Sequence, residues 1–192
     1  MNKYSILILV FLTVIVLGAC SDTALLQKGK VIDGNNNVFY IEILSENICK
    51  ETYSVSENDL LCRYLKEELE DAEKMQGLCE TNFYADYVLF DFNDDGKEDY
   101  LVSLAGAGYS GSRGNSTTIF VTIGEGELKE VFHATIQLYV GEDNSDYGNV
   151  LVLNNKTDGF YDIVLEGNHI WQYDTEKNCY KLDSERIYLG KE

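Results

Sequence analysis

From residue 84 almost to the C-terminus, apolar and aromatic residues come in runs of only four to eight, each closed by Gly, Asn or Asp. Segments of that length bounded by turn formers are too short for stable helices and read as β-strands. The expected strands cover residues 84–90, 100–104, 117–123, 128–135, 150–153, 161–165 and 169–173, and residues 38–44 form another behind the turn residues Asp33, Gly34, Asn35, Asn36 and Asn37. One helix is expected at about residues 57–76. Ser56 is positioned to cap it with Asp59 three residues on, Leu61, Leu65, Leu69, Ala72 and Met75 make one stripe, and Gly77 ends it. The expectation is an α+β fold, a mainly antiparallel sheet with one packed helix.

The N-terminus has a different purpose. Lys3 precedes an uncharged apolar run from Ile6 to Leu17, the n-region and h-region of a signal peptide spanning residues 1–19. The run falls short of the roughly 20 apolar residues a spanning helix needs. Leu17-Gly18-Ala19-Cys20 resembles the bacterial lipobox, which implies lipid attachment at Cys20 and a chain exported and tethered to a membrane, the outer one in an organism that has two. Residues 20–29 then read as a lipidated tether and 30–192 as one globular domain, since about 170 residues suffice for a single core.

The chain carries 15 basic against 33 acidic residues, a formal charge of −18 that becomes −19 once Lys3 leaves with the leader. Such a charge argues against nucleic-acid partners, repels anionic lipid, and shows no basic stripe to offset it. With Cys20 assigned to lipid, Cys49, Cys62, Cys79 and Cys179 remain, enough for two disulfides in an exported chain. Three pairings are open, and bridges among Cys49, Cys62 and Cys79 are favoured because these flank the helix. No CxxC occurs and His133 and His169 stand apart, so zinc is not expected.

Asp91-Phe92-Asn93-Asp94-Asp95-Gly96-Lys97-Glu98-Asp99 is the most informative stretch behind the leader. Oxygen-bearing side chains at 91, 93, 95 and 99 alternate around a turn that Gly96 can close, and hard oxygens with the Lys97 carbonyl suit Ca2+ better than Mg2+. Val102 stands where an EF-hand needs its bidentate Glu, and the flanks read as strands. The stretch resembles the calcium loops of FG-GAP and VCBS repeats. That resemblance implies Asp91, Asn93, Asp95 and Asp99 as ligands. It covers residues 87–104 only, and the chain is too short for the usual propeller. A second copy runs from Asn154 to Asp162; Asp158, Gly159 and Asp162 match Asp95, Gly96 and Asp99, but Lys156 replaces a ligand and could neutralise the carboxylates itself.

Gly106-Ala107-Gly108-Tyr109-Ser110-Gly111 matches GxGxxG, but a strand follows where the dinucleotide fold needs a helix. The stretch is better read as a connector, or as a recognition loop presenting Tyr109, Ser110, Ser112 and Arg113. Neither GxSxG nor HExxH is present. Trp171 reads as a core or half-buried strand residue. These observations favour a non-catalytic, membrane-anchored module binding an envelope or extracellular protein or glycan, with a structural calcium site. The alternatives are a small envelope hydrolase using paired carboxylates and an inhibitor of the lysozyme-blocking kind.

Overall fold

A computed structural model of the chain describes residues 27–45, 48–50, 53–68, 84–105, 110–111, 114–136, 150–165 and 168–191. The strands are β1 (Gln27–Asp33), β2 (Val38–Ser45), β3 (Tyr53–Ser54), β4 (Tyr84–Phe90), β5 (Asp99–Ala105), β6 (Ser110–Gly111), β7 (Gly114–Ile123), β8 (Glu127–Ile136), β9 (Leu151–Thr157), β10 (Phe160–Leu165), β11 (His169–Asp174) and β12 (Cys179–Lys191). The single α-helix described, α1, is Asp59–Glu68, and Ile48–Lys50 and Val55–Glu57 are 3-10 turns.

The α+β expectation is overturned. Among the described residues strands make up 70% and helix 10%, and they form a closed six-stranded antiparallel barrel together with a second sheet. Around the barrel the order is β1-β12-β11-β10-β9-β2, closed by the pairing of β2 with β1. The second sheet runs β3-β4-β5-β7-β6, with β8 also on β7. β1 begins at Gln27, so three residues of the expected tether belong to the barrel wall.

Alternation along each barrel strand fixes what lies inside, because successive side chains point to opposite faces. Val31, Ile43, Leu153, Val164, Ile170 and Tyr188, one from each of the six strands, form the interior cluster. Their neighbours Val152, Ile163, Leu165 and Trp171 point outward and pack against the second sheet in a shared core with Val88, Leu101, Ile119, Val121 and Phe132. Trp171 meets Phe132 edge to face at 5.1 Å, the half-buried strand role read from the sequence.

The other face of the second sheet carries Ala85, Tyr87, Val102, Leu104 and Phe120, and α1 covers it with Leu61 and Leu65. With the barrel on one side and the helix on the other, β5 is buried on both faces, so its apolar residues fall on both, with only Ser103 interrupting them between Tyr100 and Ala105. The helix starts later than expected. Asn58, rather than Ser56, supplies the cap, its Oδ1 accepting from the Leu61 amide at 3.0 Å. Leu69, Ala72 and Met75, like Gly77, lie outside the described residues.

Candidate functional site

Residues 91–98 leave β4 and return into β5 as an irregular loop held by its own side chains. Asp91 accepts the amides of Asp95 (Oδ1, 3.1 Å) and Gly96 (Oδ2, 2.8 Å), Asn93 Oδ1 accepts Asp95 N at 3.1 Å, and Asp95 Oδ1 accepts Lys97 N at 2.9 Å. These nested Asx turns curl the chain around its first carboxylate. Asp94 (φ 57°) and Gly96 (φ 82°) take left-handed conformations, and Gly96 does so without steric cost.

Phe92 and Asp99 root this loop. Phe92 is fully buried in the core between barrel and sheet. Its amide donates to Asp99 Oδ2 at 2.9 Å and its carbonyl accepts Tyr161 N of β10 at 2.9 Å, so its backbone links the two sheets. Asp99, also fully buried, accepts Thr122 N of β7 through Oδ1 at 2.8 Å, while Thr122 Oγ1 donates to the Glu98 carbonyl at 2.6 Å. Burial, with the charges of Asp91 and Asp95 adding, pushes the Asp99 carboxyl up to about 6 against the lowering effect of the two amides.

The proposed ligand set is thus divided. Asp91, Asn93 and Asp95 curl about the outer turn, whereas both Asp99 oxygens already accept backbone amides inside. Among the described residues no three Asp, Glu, His or Cys side chains are gathered closely enough to form a cation site by themselves. A cation in this loop would draw on Asp91, Asn93, Asp95 and the Lys97 carbonyl, all hard oxygen donors.

The second copy has a different shape. β9 continues through Asn154, Asn155 and Lys156, and the chain reverses in two residues, Asp158 (φ 54°) and Gly159 (φ 89°), the tight hairpin geometry that such a pair favours. What the copies share is the buried ninth-position carboxylate. Asp162 Oδ2 accepts Asn155 Nδ2 at 2.6 Å, Gln172 Nε2 at 3.0 Å and Arg186 Nη2 at 3.5 Å, and its Oδ1 is sealed without a partner. Gln172 and Arg186 line an open cavity of about 540 Å³ with Asp33, Phe39, Lys181 and Asp183. Lys156 neutralises a carboxylate of the other copy: its ammonium bonds Asp94 Oδ2 and sits 4.3 Å from the centre of the Tyr161 ring.

Cys20, Cys79, Tyr109, Ser112 and Arg113 lie outside the described residues, and Ser110 opens β6. Among the described residues no disulfide joins Cys49, Cys62 and Cys179. Cys49 is buried in the shared core, where burial raises its thiol to about 12, and Cys62 donates to the Val55 carbonyl from α1. Thr122, Gln172, Asp183 and Arg186 had no signal in the sequence, since each acts through a partner distant along the chain or through an unremarkable spacing. No family model, curated protein or solved structure matches the chain.

Proposed function

We propose that the chain is an exported lipoprotein, anchored through Cys20, whose barrel and sheet form a non-catalytic binding module braced by calcium in the loop of residues 91–99. The observation that carries the calcium part is the loop's position. Phe92 and Asp99 tie it to β10 and β7 together, and Lys156 reaches Asp94 from the barrel, so stiffening this turn stiffens the junction of both sheets. Against the hydrolase alternative stands the burial of its best acid. Asp99, the carboxyl raised to about 6, is fully enclosed and occupied by two amides, and so cannot meet a substrate. Asp162 is equally enclosed. The partner of the module is an envelope or extracellular protein or glycan.

Thermal unfolding of the full chain in mild detergent, first with excess EDTA and then with calcium, tests the brace. A cation bound only by the folded state stabilises by RT ln(1 + [L]/Kd), about 2.7 kcal/mol at one hundred times Kd. The wild-type midpoint should rise with calcium and that of Asp95→Ala should not. Equal midpoints in EDTA and calcium for the wild type would reduce the loop to a turn.

A further inference from the structure

The apolar layer inside the barrel stops short of one mouth. One inward step beyond Val31, Val164, Ile170 and Tyr188 stand Asp33, Asp162, Gln172 and Arg186, polar residues on four different strands, with Phe39 of β2 paired to Val31 beside them. All but Asp162 line the open cavity of about 540 Å³. That volume lies within the roughly 300 to 1,000 Å³ of small-molecule sites, for which the mouth of a barrel is a common place. β12 deforms to build it. Residues 183–186 stand opposite Ile170 alone, a bulge that turns Arg186 into the barrel. Asp183 holds the bulge, its Oδ1 accepting the amides of Glu185 at 2.8 Å and Arg186 at 3.2 Å and its Oδ2 accepting Arg186 Nε.

The hydrogen-bonding capacity left over describes a ligand. Gln172 Nε2 donates to Thr157 Oγ1 at 2.6 Å and to Asp162 Oδ2 at 3.0 Å, and since an ionised carboxylate only accepts, the amide orientation is fixed and Oε1 remains as an acceptor. Arg186 uses Nε and Nη2 on Asp183 and Asp162, which leaves Nη1 as a donor among the described residues, and Ser184 adds a hydroxyl that does both. Beneath them Asp162, fully buried and with Oδ1 unpartnered, holds the amide and the guanidinium in place. The carboxylates of Asp33 and Asp183 are already filled, that of Asp33 by the amides of Asn35 and Asn37 and by Asn37 Nδ2. Acids outnumber bases along the cavity, and a chain of charge −18 repels anions at a distance. The guanidinium at its floor repels cations.

We propose that this barrel mouth binds a neutral oligosaccharide. Hydroxyl groups donate and accept at once, which matches an acceptor at Gln172, a donor at Arg186 and Ser184 between the two kinds. The half-buried ring of Phe39 and the exposed Leu182 give an apolar wall for the C–H face of a sugar ring. The inference rests on the binding-module reading above and narrows its partner to a glycan at a stated place.

The test is titration calorimetry of the full chain in a detergent without sugar headgroups. The neutral probes are cellotetraose, maltotetraose, mannotetraose and chitotetraose; tetramers of glucosamine and of galacturonic acid are the cationic and anionic counterparts. At least one neutral tetramer should bind, and both charged ones should bind more weakly. Ser184→Trp, which fills the cavity from an exposed position, should weaken the binding about ten-fold or more, and so should Phe39→Ala. Urea midpoints show which variants keep the wild-type fold, and Ser184→Trp carries the test if Phe39→Ala does not. Wild-type affinity in a folded Ser184→Trp chain overturns the mouth as the site and leaves a glycan-binding module. A charged tetramer that binds as tightly as the neutral ones overturns the ligand class. A folded wild type that binds none of the tetramers overturns the proposal whole and leaves protein as the partner in the module reading.

Discussion

Asp99 sits at the root of the candidate loop with its carboxylate enclosed by protein. Burial raises it to about 6 from the ordinary 3.8, so the folded chain holds a proton that the unfolded chain has already released. Its contribution to stability is complete below about pH 3.8 and is lost as the pH climbs through about 6. Asp33 and Asp174 have the opposite sign: Asn37 and Lys181 hold them low, and their contribution disappears only at more acid pH. In EDTA, urea midpoints should fall as the pH rises from about 4 to about 6, by at most about 3 kcal/mol, and Asp99→Asn should flatten most of that slope. Asp86, also raised by burial, leaves a smaller slope behind. An unchanged slope in the variant would remove Asp99 from the account. The alternation of oxygen-bearing residues at 91, 93, 95 and 99 was legible in the sequence. That Asp99 turns inward was not, because the Thr122 amide it accepts lies 23 residues away and backbone amides carry no side-chain signature.

Among the elements, β2, β4, β5, β7, β8, β10 and β11 were readable because polar turns bound apolar runs. β1 and β12 escaped because Lys28, Lys30, Lys181 and Glu185 interrupt them, and an edge of solvated side chains obscures a strand whose inner face alone is apolar. β9 escaped in part because Asn154, Asn155 and Lys156 look like a loop, yet they extend the ladder as far as the Asp158-Gly159 turn. The helix was legible from its stripe, but its start was misplaced. The sequence pointed to Ser56, whereas Asn58, two residues on, is the side chain that accepts the first-turn amide of Leu61. Asn58→Ala should cost about 1 kcal/mol in chemical denaturation, as a lost cap does. A variant as stable as the wild type would mean that the packing of Leu61 and Leu65 determines the start of the helix by itself.

For the whole molecule, closure was the hidden property. Periodicity reports which face of a strand is buried, and a barrel interior and a flat sheet's underside look the same to it. What closes the ring is the pairing of β1 with β2 and β12, with Tyr188 over Gly29, where any Cβ would collide with the Tyr188 ring. Removing residues 187–191 would take away Tyr188 and leave β1 joined to β12 only where Asp33 pairs with Arg186. Losing the ring alone costs about 3 to 5 kcal/mol, a large share of the 5 to 15 kcal/mol that ordinarily holds a domain folded. The truncated chain should unfold at much lower urea and elute as aggregates through its bared edge. Wild-type midpoints in the truncation would show that the ring does not depend on its last strand.

The β1–β12 seam also imposes an order in time. β1 is complete by Asp33, while its partner ends at Lys191, roughly 160 residues later, which at ordinary rates of synthesis is about 10 to 30 s. Through that interval the first strand has no closing partner to find, so the barrel stays open while the chain is being made and shuts only with the arrival of its last strand.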